Sequence, residues 1–367
     1  MSETDQRHMR RALELAALGL NTTHPNPRVG CVLVQGGEVV GEGWHRRAGE
    51  PHAEVHALRM AGERARGATA YVTLEPCAHH GRTPPCADAL VAAGVARVVA
   101  ALHDPFPQVD GAGLARLRAA GIAVECGLME HEARELNLGF VSRLTRHRPW
   151  IRVKLGLSLD GRTALADGRS QWITSPAARA DVQLWRARSS AVLTGIGSVL
   201  DDDPRLTVRL DHTEHAAPER IVLDTHARLP ANARMLDEPG PILWVTGSAA
   251  PERPELEGRV ERITLAAQAG RLNLQRLAFA LGARGHNEVL VEAGPTLAGA
   301  FVAAGLVDEL VWYFAPKLLG APARPALAMP EPATLDDASR WHWHDVARVG
   351  EDLRVVLRAA PATGAVA

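Results

Sequence analysis

Apolar residues recur along this chain at two alternating spacings, one suited to helices and one to strands, from Met9 to Phe314. Met9, Leu13, Ala16 and Ala17 fall on one helical face, and strands at 29–34 and 38–44 follow, joined at Gly36-Gly37. A helix at 53–64, a strand at 70–74, a helix at 85–93, a strand at 97–102, a helix at 114–120 and a strand at 122–125 then alternate. This regularity predicts a layered α/β domain with a mixed sheet. A helix at 132–144 runs into the basic, proline-containing stretch 143–149, after which the pattern restarts. The boundary is placed there, giving domains 1–147 and 148–367. In the second domain, strands at 151–157, 191–194, 221–224, 242–245, 288–292 and 309–314 alternate with helices at 177–188, 272–281 and 297–304, again an α/β pattern. Segments 212–219 and 249–258 are rich in proline and charge and read as surface loops, and the residues from Pro361 read as a frayed tail.

A chain of 367 residues suits two domains of ordinary size, and 46% hydrophobic with 23% charged residues is the composition of a folded globular protein. No run reaches the ~18 apolar residues of a membrane span, and the polar N-terminus is unlike a secretory signal, so the cytoplasm is the expected location. A net charge of −1 with both signs interspersed, and only 4% aromatic residues, argue against a nucleic-acid partner. Oligomeric state is left open. Four cysteines in a chain of this size point to metal binding or burial rather than disulfides. Cys31 and Cys126 fall in apolar strand patterns and read as core residues.

The sharpest chemical signal is His52-Ala53-Glu54 at one helix start, followed by Pro76-Cys77 and Cys86 at the next strand-to-helix junction. One imidazole and two thiolates make a three-ligand zinc site whose fourth position is left for water, the arrangement of a catalytic zinc. The ion lowers that water's pKa to roughly 7, and Glu54, not a ligand, is placed to move its proton to the ring nitrogen and the leaving ammonia. Residues two apart do not share a helix face, so His52 and Glu54 converge only if the helix points its N-terminus at the metal. That end-on dipole also suits the Cys77 thiolate. A structural zinc closed by His79 or His80 is the competing reading. Zinc deaminases usually have two residues between the cysteines, whereas eight separate Cys77 from Cys86 here, in a polar loop suited to substrate recognition.

That long loop, the run from Thr73 to Cys86, together with Thr23-His24-Pro25-Asn26-Pro27 and Pro51-His52-Ala53-Glu54, closely resembles the bifunctional riboflavin-biosynthesis deaminase/reductase family. The likeness continues through the runs 154–162, 170–175, 202–204 and 291–297, and is weakest at 212–262. The resemblance implies a cytidine-deaminase-like three-layer domain with a mixed sheet, then a dihydrofolate-reductase-like α/β domain. It implies zinc-dependent hydrolytic deamination of a phosphoribosylated diaminopyrimidinone, then NADPH-dependent reduction of its ribosyl group to ribityl. In the family, positions matching Asn26, His79 and Asp104 line the pyrimidine, and those matching His45 and Arg82 lie near the phosphate.

The C-terminal half speaks more faintly. Thr194-Gly195-Ile196-Gly197-Ser198 follows a strand, but Leu200 replaces the third glycine of a dinucleotide fingerprint, so a Rossmann domain is not supported and the run reads equally as a plain turn. Glu292-Ala293-Gly294-Pro295-Thr296 lies between a strand and a helix start, where free amides suit a cofactor phosphate. By resemblance NADPH lies along Gly294, Pro295, Thr296, Leu297, Ala298, Gly299 and Ala300, and against Gly156, Trp172, Ser198, Asp202 and Thr225. The same likeness sets the substrate's ribose and phosphate against Ser170, Arg186, Leu206, Arg209 and Glu292. Lys154 and Asp202 are the polar groups expected to assist reduction, which needs a proton source. A nucleotide-sensing C-terminal half is the alternative that consumption of NADPH decides.

Overall fold

The computed structural model describes residues 2–78, 85–106, 110–211, 213–268 and 270–360. The chain divides into two compact units, Met1–His147 with Glu214–Ala216, and Arg148–Thr213 with Ala217–Ala367.

Unit 1 runs α1 (Glu3–Ala17), β1 (Gly30–Gln35), β2 (Glu38–Trp44), α2 (Ala53–Ala61), β3 (Thr69–Val72), α3 (Cys86–Ala92), β4 (Arg97–Ala100), α4 (Ala112–Ala119), β5 (Ala123–Cys126), α5 (Glu130–Leu136) and α6 (Leu138–Arg146). Ser2 and Asp5 form a reciprocal cap that starts α1, and Gly36 and Gly37, both at positive φ, make the tight turn of the β1–β2 hairpin. The sheet order is β2-β1-β3-β4-β5, antiparallel as far as β3 and parallel beyond it. One face packs α2, α3 and α4 through Ala53, Ala57, Leu90, Leu114 and Leu117; the other packs α1, α5 and α6 through Met9, Leu13, Ala133 and Phe140. This is the mixed-sheet, three-layer domain expected. Cys31 is fully buried in that core and Cys126 packs against it half-buried.

Local chemistry corrects two of the expected helices. The helix expected at 132–144 is broken at Asn137, whose side chain turns inward to accept from the Arg28 N–H at 2.8 Å and donate to the Arg28 carbonyl at 3.0 Å. The helix expected at 53–64 stops at Ala61, because Gly62 takes a positive φ and only a 3-10 turn follows.

Unit 2 runs β6 (Trp150–Ser158), β7 (Arg162–Ala164), α7 (Pro176–Arg188), β8 (Ala191–Gly195), α8 (Ile196–Asp202), β9 (Glu219–Asp224), β10 (Ile242–Gly247), β11 (Glu261–Leu265), β12 (Ala267–Gln268) and β13 (Arg271–Leu272). It continues with α9 (Leu274–Ala283), β14 (Glu288–Glu292), α10 (Pro295–Ala303), β15 (Glu309–Ala315), β16 (Arg324–Pro325), β17 (Trp341–Val349) and β18 (Asp352–Ala359). Its nine-stranded sheet has the order β11-β10-β9-β8-β14-β6-β15-β18-β17, parallel from β11 to β15. The β17–β18 hairpin adds two antiparallel strands that the hydrophobic pattern does not assign. The run 194–198, which reads equally as a plain turn, instead opens α8, with Gly195 as its N-cap. Leu277, Leu281, Ala298 and Phe301 cover one sheet face; α8 and α7 cover parts of the other, through Val199 and Val182.

Arg152, only 1% exposed, pairs at once with Glu288 of β14 and Glu309 of β15. A buried cation that must meet two carboxylates on flanking strands disfavours a slip of register, since a slip would leave Arg152 buried without its partners. The register so held puts Glu292 of β14 beside Lys154 of β6.

Candidate active sites

In unit 1, α2 begins at the sheet's edge with His52 as its N-cap and Glu54 in its first turn. The helix can lie this close because β2 offers glycines: a Cβ on Gly43 would stand 2.4 Å from the Ala53 carbonyl oxygen. Gly43→Ala is therefore expected to cost about 1–3 kcal/mol of stability by forcing α2 off the strand. A thermal or urea midpoint equal to that of the wild type would show that the helix has room to move.

His52 Nδ1 lies 3.2 Å from Cys86 Sγ and 3.7 Å from Cys77 Sγ, and the Cys86 backbone N–H donates to Cys77 Sγ at 3.3 Å. Tetrahedral zinc with ordinary bond lengths separates such donors by about 3.5–3.8 Å, so the three fit the ion. Cys86 is the first residue of α3, so the Cys77 sulfur receives that helix's first amide while the Ala87 N–H donates to the Cys77 carbonyl at 3.2 Å. Hydrogen bonding from Cys86 and His52 holds the Cys77 thiol well below its ordinary value against the opposing effect of burial. The same bond to Cys77, aided by burial, pushes the Cys86 thiol up, and Cys77 raises His52. Zinc needs both sulfurs as thiolates, so binding it displaces protons and depends on pH.

His52 and Cys77 border a cavity of about 350 Å³ that Asn26, His45, Glu54, Glu75, Asp104, Phe106, Phe140 and Arg143 also line. Glu54 is 3% exposed, and burial raises its pKa. His45 is lowered, chiefly by burial. Its Nδ1 lies 3.2 Å from the Pro51 carbonyl oxygen and its Nε2 3.0 Å from Asn26 Nδ2, so a neutral ring donates to Pro51 and accepts from Asn26. Asp104 Oδ1 accepts from the Phe106 N–H at 2.9 Å. His79, His80 and Arg82 lie outside the described residues. Sequence reasoning missed Glu75, Phe106, Phe140 and Arg143. Arg143 had no signal: on a helix it reads as solvated charge, and only the fold brings it to the cavity, its Nη2 donating to the Pro25 carbonyl at 3.1 Å.

In unit 2 a larger cavity, about 780 Å³, is lined by Lys154, Gly156, Ser170, Trp172, Arg186, Ser198, Asp202, Leu206, Arg209, Glu292, Gly294 and Pro295, all expected from the sequence. Thr225, Thr296, Leu297, Ala298, Gly299 and Ala300 do not line it. Ala298 is fully buried in the core and Gly299 packs against the Ala328 backbone, because the inner face of α10 turns toward the sheet. Residues missed include Arg179, Arg205, Arg234 and Arg324 on its wall. Arg179 lies over the Trp172 ring at 4.5 Å, and Lys317 donates to the Trp172 carbonyl at 2.8 Å.

At the end of β14, Glu292 accepts from Arg186 Nε at 2.5 Å and Nη2 at 3.1 Å, with Lys154 Nζ 3.9 Å away. Burial works to raise Glu292, but Arg186 and Lys154 outweigh it and hold the carboxyl below its ordinary value. Burial lowers Lys154, while Glu292 partly restores it. Beyond Glu292, α10 starts at Gly294 without a side-chain cap, and a Cβ built there meets nothing within 4 Å. Gly294 and Pro295 bring the start of α10 to the wall of this cavity, whose volume fits a dinucleotide.

Comparison with known proteins gives a consistent result. Residues 2–102 match the cytidine and deoxycytidylate deaminase zinc-binding region, and residues 149–355 match the RibD C-terminal domain. The riboflavin biosynthesis protein RibD of Escherichia coli is 55% identical over 97% of this chain and 100% of its own. That of Haemophilus influenzae is 46% identical over 96% and 97%. Among solved structures, Acinetobacter baumannii RibD superposes with a TM-score of 0.91 at 46% identity, covering 98% of this chain and 99% of that one. The Thermotoga maritima diaminohydroxyphosphoribosylaminopyrimidine deaminase/5-amino-6-(5-phosphoribosylamino)uracil reductase superposes at 0.87 with 33% identity, covering 97% and 99%.

Proposed function

Because the chain belongs to the RibD family of bifunctional, zinc- and NADPH-dependent riboflavin-biosynthesis proteins, we propose that residues 1–147 deaminate and residues 148–367 reduce. The first step removes an amino group from 2,5-diamino-6-(5-phosphoribosylamino)pyrimidin-4-one by hydrolysis, releasing ammonia. The next reduces the ribosyl group of the resulting aminouracil to ribityl. The observation that carries the reading is the cluster of His52, Cys77 and Cys86, two of which, His52 and Cys77, line the same cavity as buried Glu54.

His52, Cys77 and Cys86 hold the zinc, which when bound supplies a Lewis-acid corner that makes water nucleophilic at neutral pH. Glu54 takes the water's proton and passes it to the ring and the departing ammonia; burial raises its carboxyl above the ordinary value, which favours its holding a proton in transit. Asn26, His79 and Asp104 hold the pyrimidine, and His45 and Arg82 the phosphate. In the C-terminal half NADPH supplies hydride. Gly156, Trp172, Ser198, Asp202, Gly294 and Pro295, which line the larger cavity, bind it, with Trp172 steadied by Arg179. Ser170, Arg186, Leu206, Arg209 and Glu292 receive the ribose and phosphate. Lys154, which lines the cavity beside Glu292, supplies the proton to the reduced ribose, with Asp202 assisting. No described helix is long and apolar enough to cross a membrane, and with a soluble substrate we place the enzyme in the cytoplasm, acting on no nucleic acid; a homo-oligomer is compatible with this chemistry.

Purified protein supplied with the phosphoribosylated diaminopyrimidinone and NADPH should release ammonia and form the ribityl product, identified by mass. Ammonia without NADPH consumption would remove the reductase half of the reading, and neither product would remove both.

A further inference from the structure

Glu75 stands two residues before the metal ligand Cys77, takes no part in proton transfer, and has a side chain with no exposure to solvent. Burying a carboxylate is costly unless its oxygens are bonded. Here Oε1 accepts the backbone N–H groups of Gly113 at 2.9 Å and Leu114 at 3.2 Å. Oε2 accepts those of Gly111 at 3.0 Å and Asp104 at 3.3 Å. Four donors match the roughly four lone-pair sites of a carboxylate. Glu75, His103 and Asp110 lie close enough together to suggest a cation site, but the four N–H bonds already occupy the oxygens that a cation would need.

These donors come from two places, the start of α4 and the loop after β4 that carries Asp104 into the cavity. The Glu75 backbone N–H also donates to the Leu102 carbonyl at 2.8 Å. The contact is tight: a Cβ on Gly113 would stand 1.9 Å from the Pro76 carbonyl oxygen, so α4 lies directly against the peptide leading to Cys77. The geometry points to Glu75 as a positioning residue for the deamination step. Its carboxylate ties the Asp104 loop to the Cys77 loop, so that the pyrimidine is held at a fixed place relative to the metal ligands. This rests on the deaminase reading above. Glutamine cannot replace it: an amide accepts through one oxygen, and its NH₂ would face two of the N–H donors.

The test uses the full chain and a double-mutant cycle of Glu75→Gln with Asp104→Ala, each variant assayed for zinc content, deaminase KM and kcat, and the reductase rate on the deaminated intermediate. Glu75→Gln should keep its zinc and its reductase rate while the deaminase KM rises at least about tenfold, more than kcat falls. In the Asp104→Ala background the same change should add less than about twofold, since the residue through which Glu75 acts is already gone. Glu75→Asp, which keeps the charge, should recover part of the KM and takes the place of Glu75→Gln if the amide prevents folding. Wild-type KM, additive effects across the cycle, or activity lost only in proportion to zinc would each overturn the proposal. Wild-type protein that released no ammonia would overturn the deaminase reading itself, a failure distinct from these.

Discussion

Glu54→Gln is expected to retain its zinc and to release ammonia about a hundred- to ten-thousandfold more slowly than the wild type. The substitution keeps the shape of the side chain and removes its ability to take a proton. The three proposed metal donors, His52, Cys77 and Cys86, do not include Glu54, so the ion should stay. The chemistry should not survive, because among the described residues Glu54 is the buried carboxylate that shares both the cavity and the first turn of the helix capped by His52. Metal content by elemental analysis and ammonia release on the same preparation decide the matter, with NADPH consumption on the deaminated intermediate as the control for an intact unit 2. Ammonia release near the wild-type rate would refute the proton-transfer role.

The other large effect is expected at Glu292. Glu292→Gln leaves Arg186 and Lys154 beside a neutral amide, although the carboxylate had been bonded by one and balanced by both. Removing one partner of a buried ion pair typically costs about 3–5 kcal/mol, and Lys154 is itself about one-fifth exposed, so the loss falls toward the lower end. Reductase kcat/KM should drop at least a hundredfold, roughly 2.7 kcal/mol, while deamination is unchanged. The pH dependence has a definite sign. Burial lowers Lys154 and Glu292 raises it, so losing the carboxylate lowers the lysine further. If protonated Lys154 serves reduction, the residual activity of the variant should be lost at lower pH than in the wild type as pH rises. An alkaline limb at the wild-type position would exclude Lys154 as the proton source.

The two sites were unequally legible, and particular residues show why. His52, Glu54, Cys77 and Cys86 announce themselves because metal chemistry demands rare residue types at helix starts, and turn residues mark those starts in one dimension. Lys154 and Glu292 carry no such mark; they stand on separate strands, and only the parallel pairing of β14 with β6 makes them neighbours. Arg143 and Glu75 were unreadable for opposite reasons. Arg143 resembles ordinary surface charge until α6 is folded against the sheet, whereas Glu75 passes for a spacer in a motif until its four backbone partners are known. The break at Asn137 escaped because its cause is a bond to Arg28, far away in the chain.

The sequence by itself determined the alternation of helices and strands, the two α/β domains and the candidate metal donors, since periodicity, turn residues and ligand types are properties of short stretches. Tertiary structure alone decided which cations face which carboxylates, how near α2 lies to its strand, and which loop meets the metal peptide. Those are contacts between distant segments, set by strand register and by glycines whose missing side chains are felt only once another backbone stands against them.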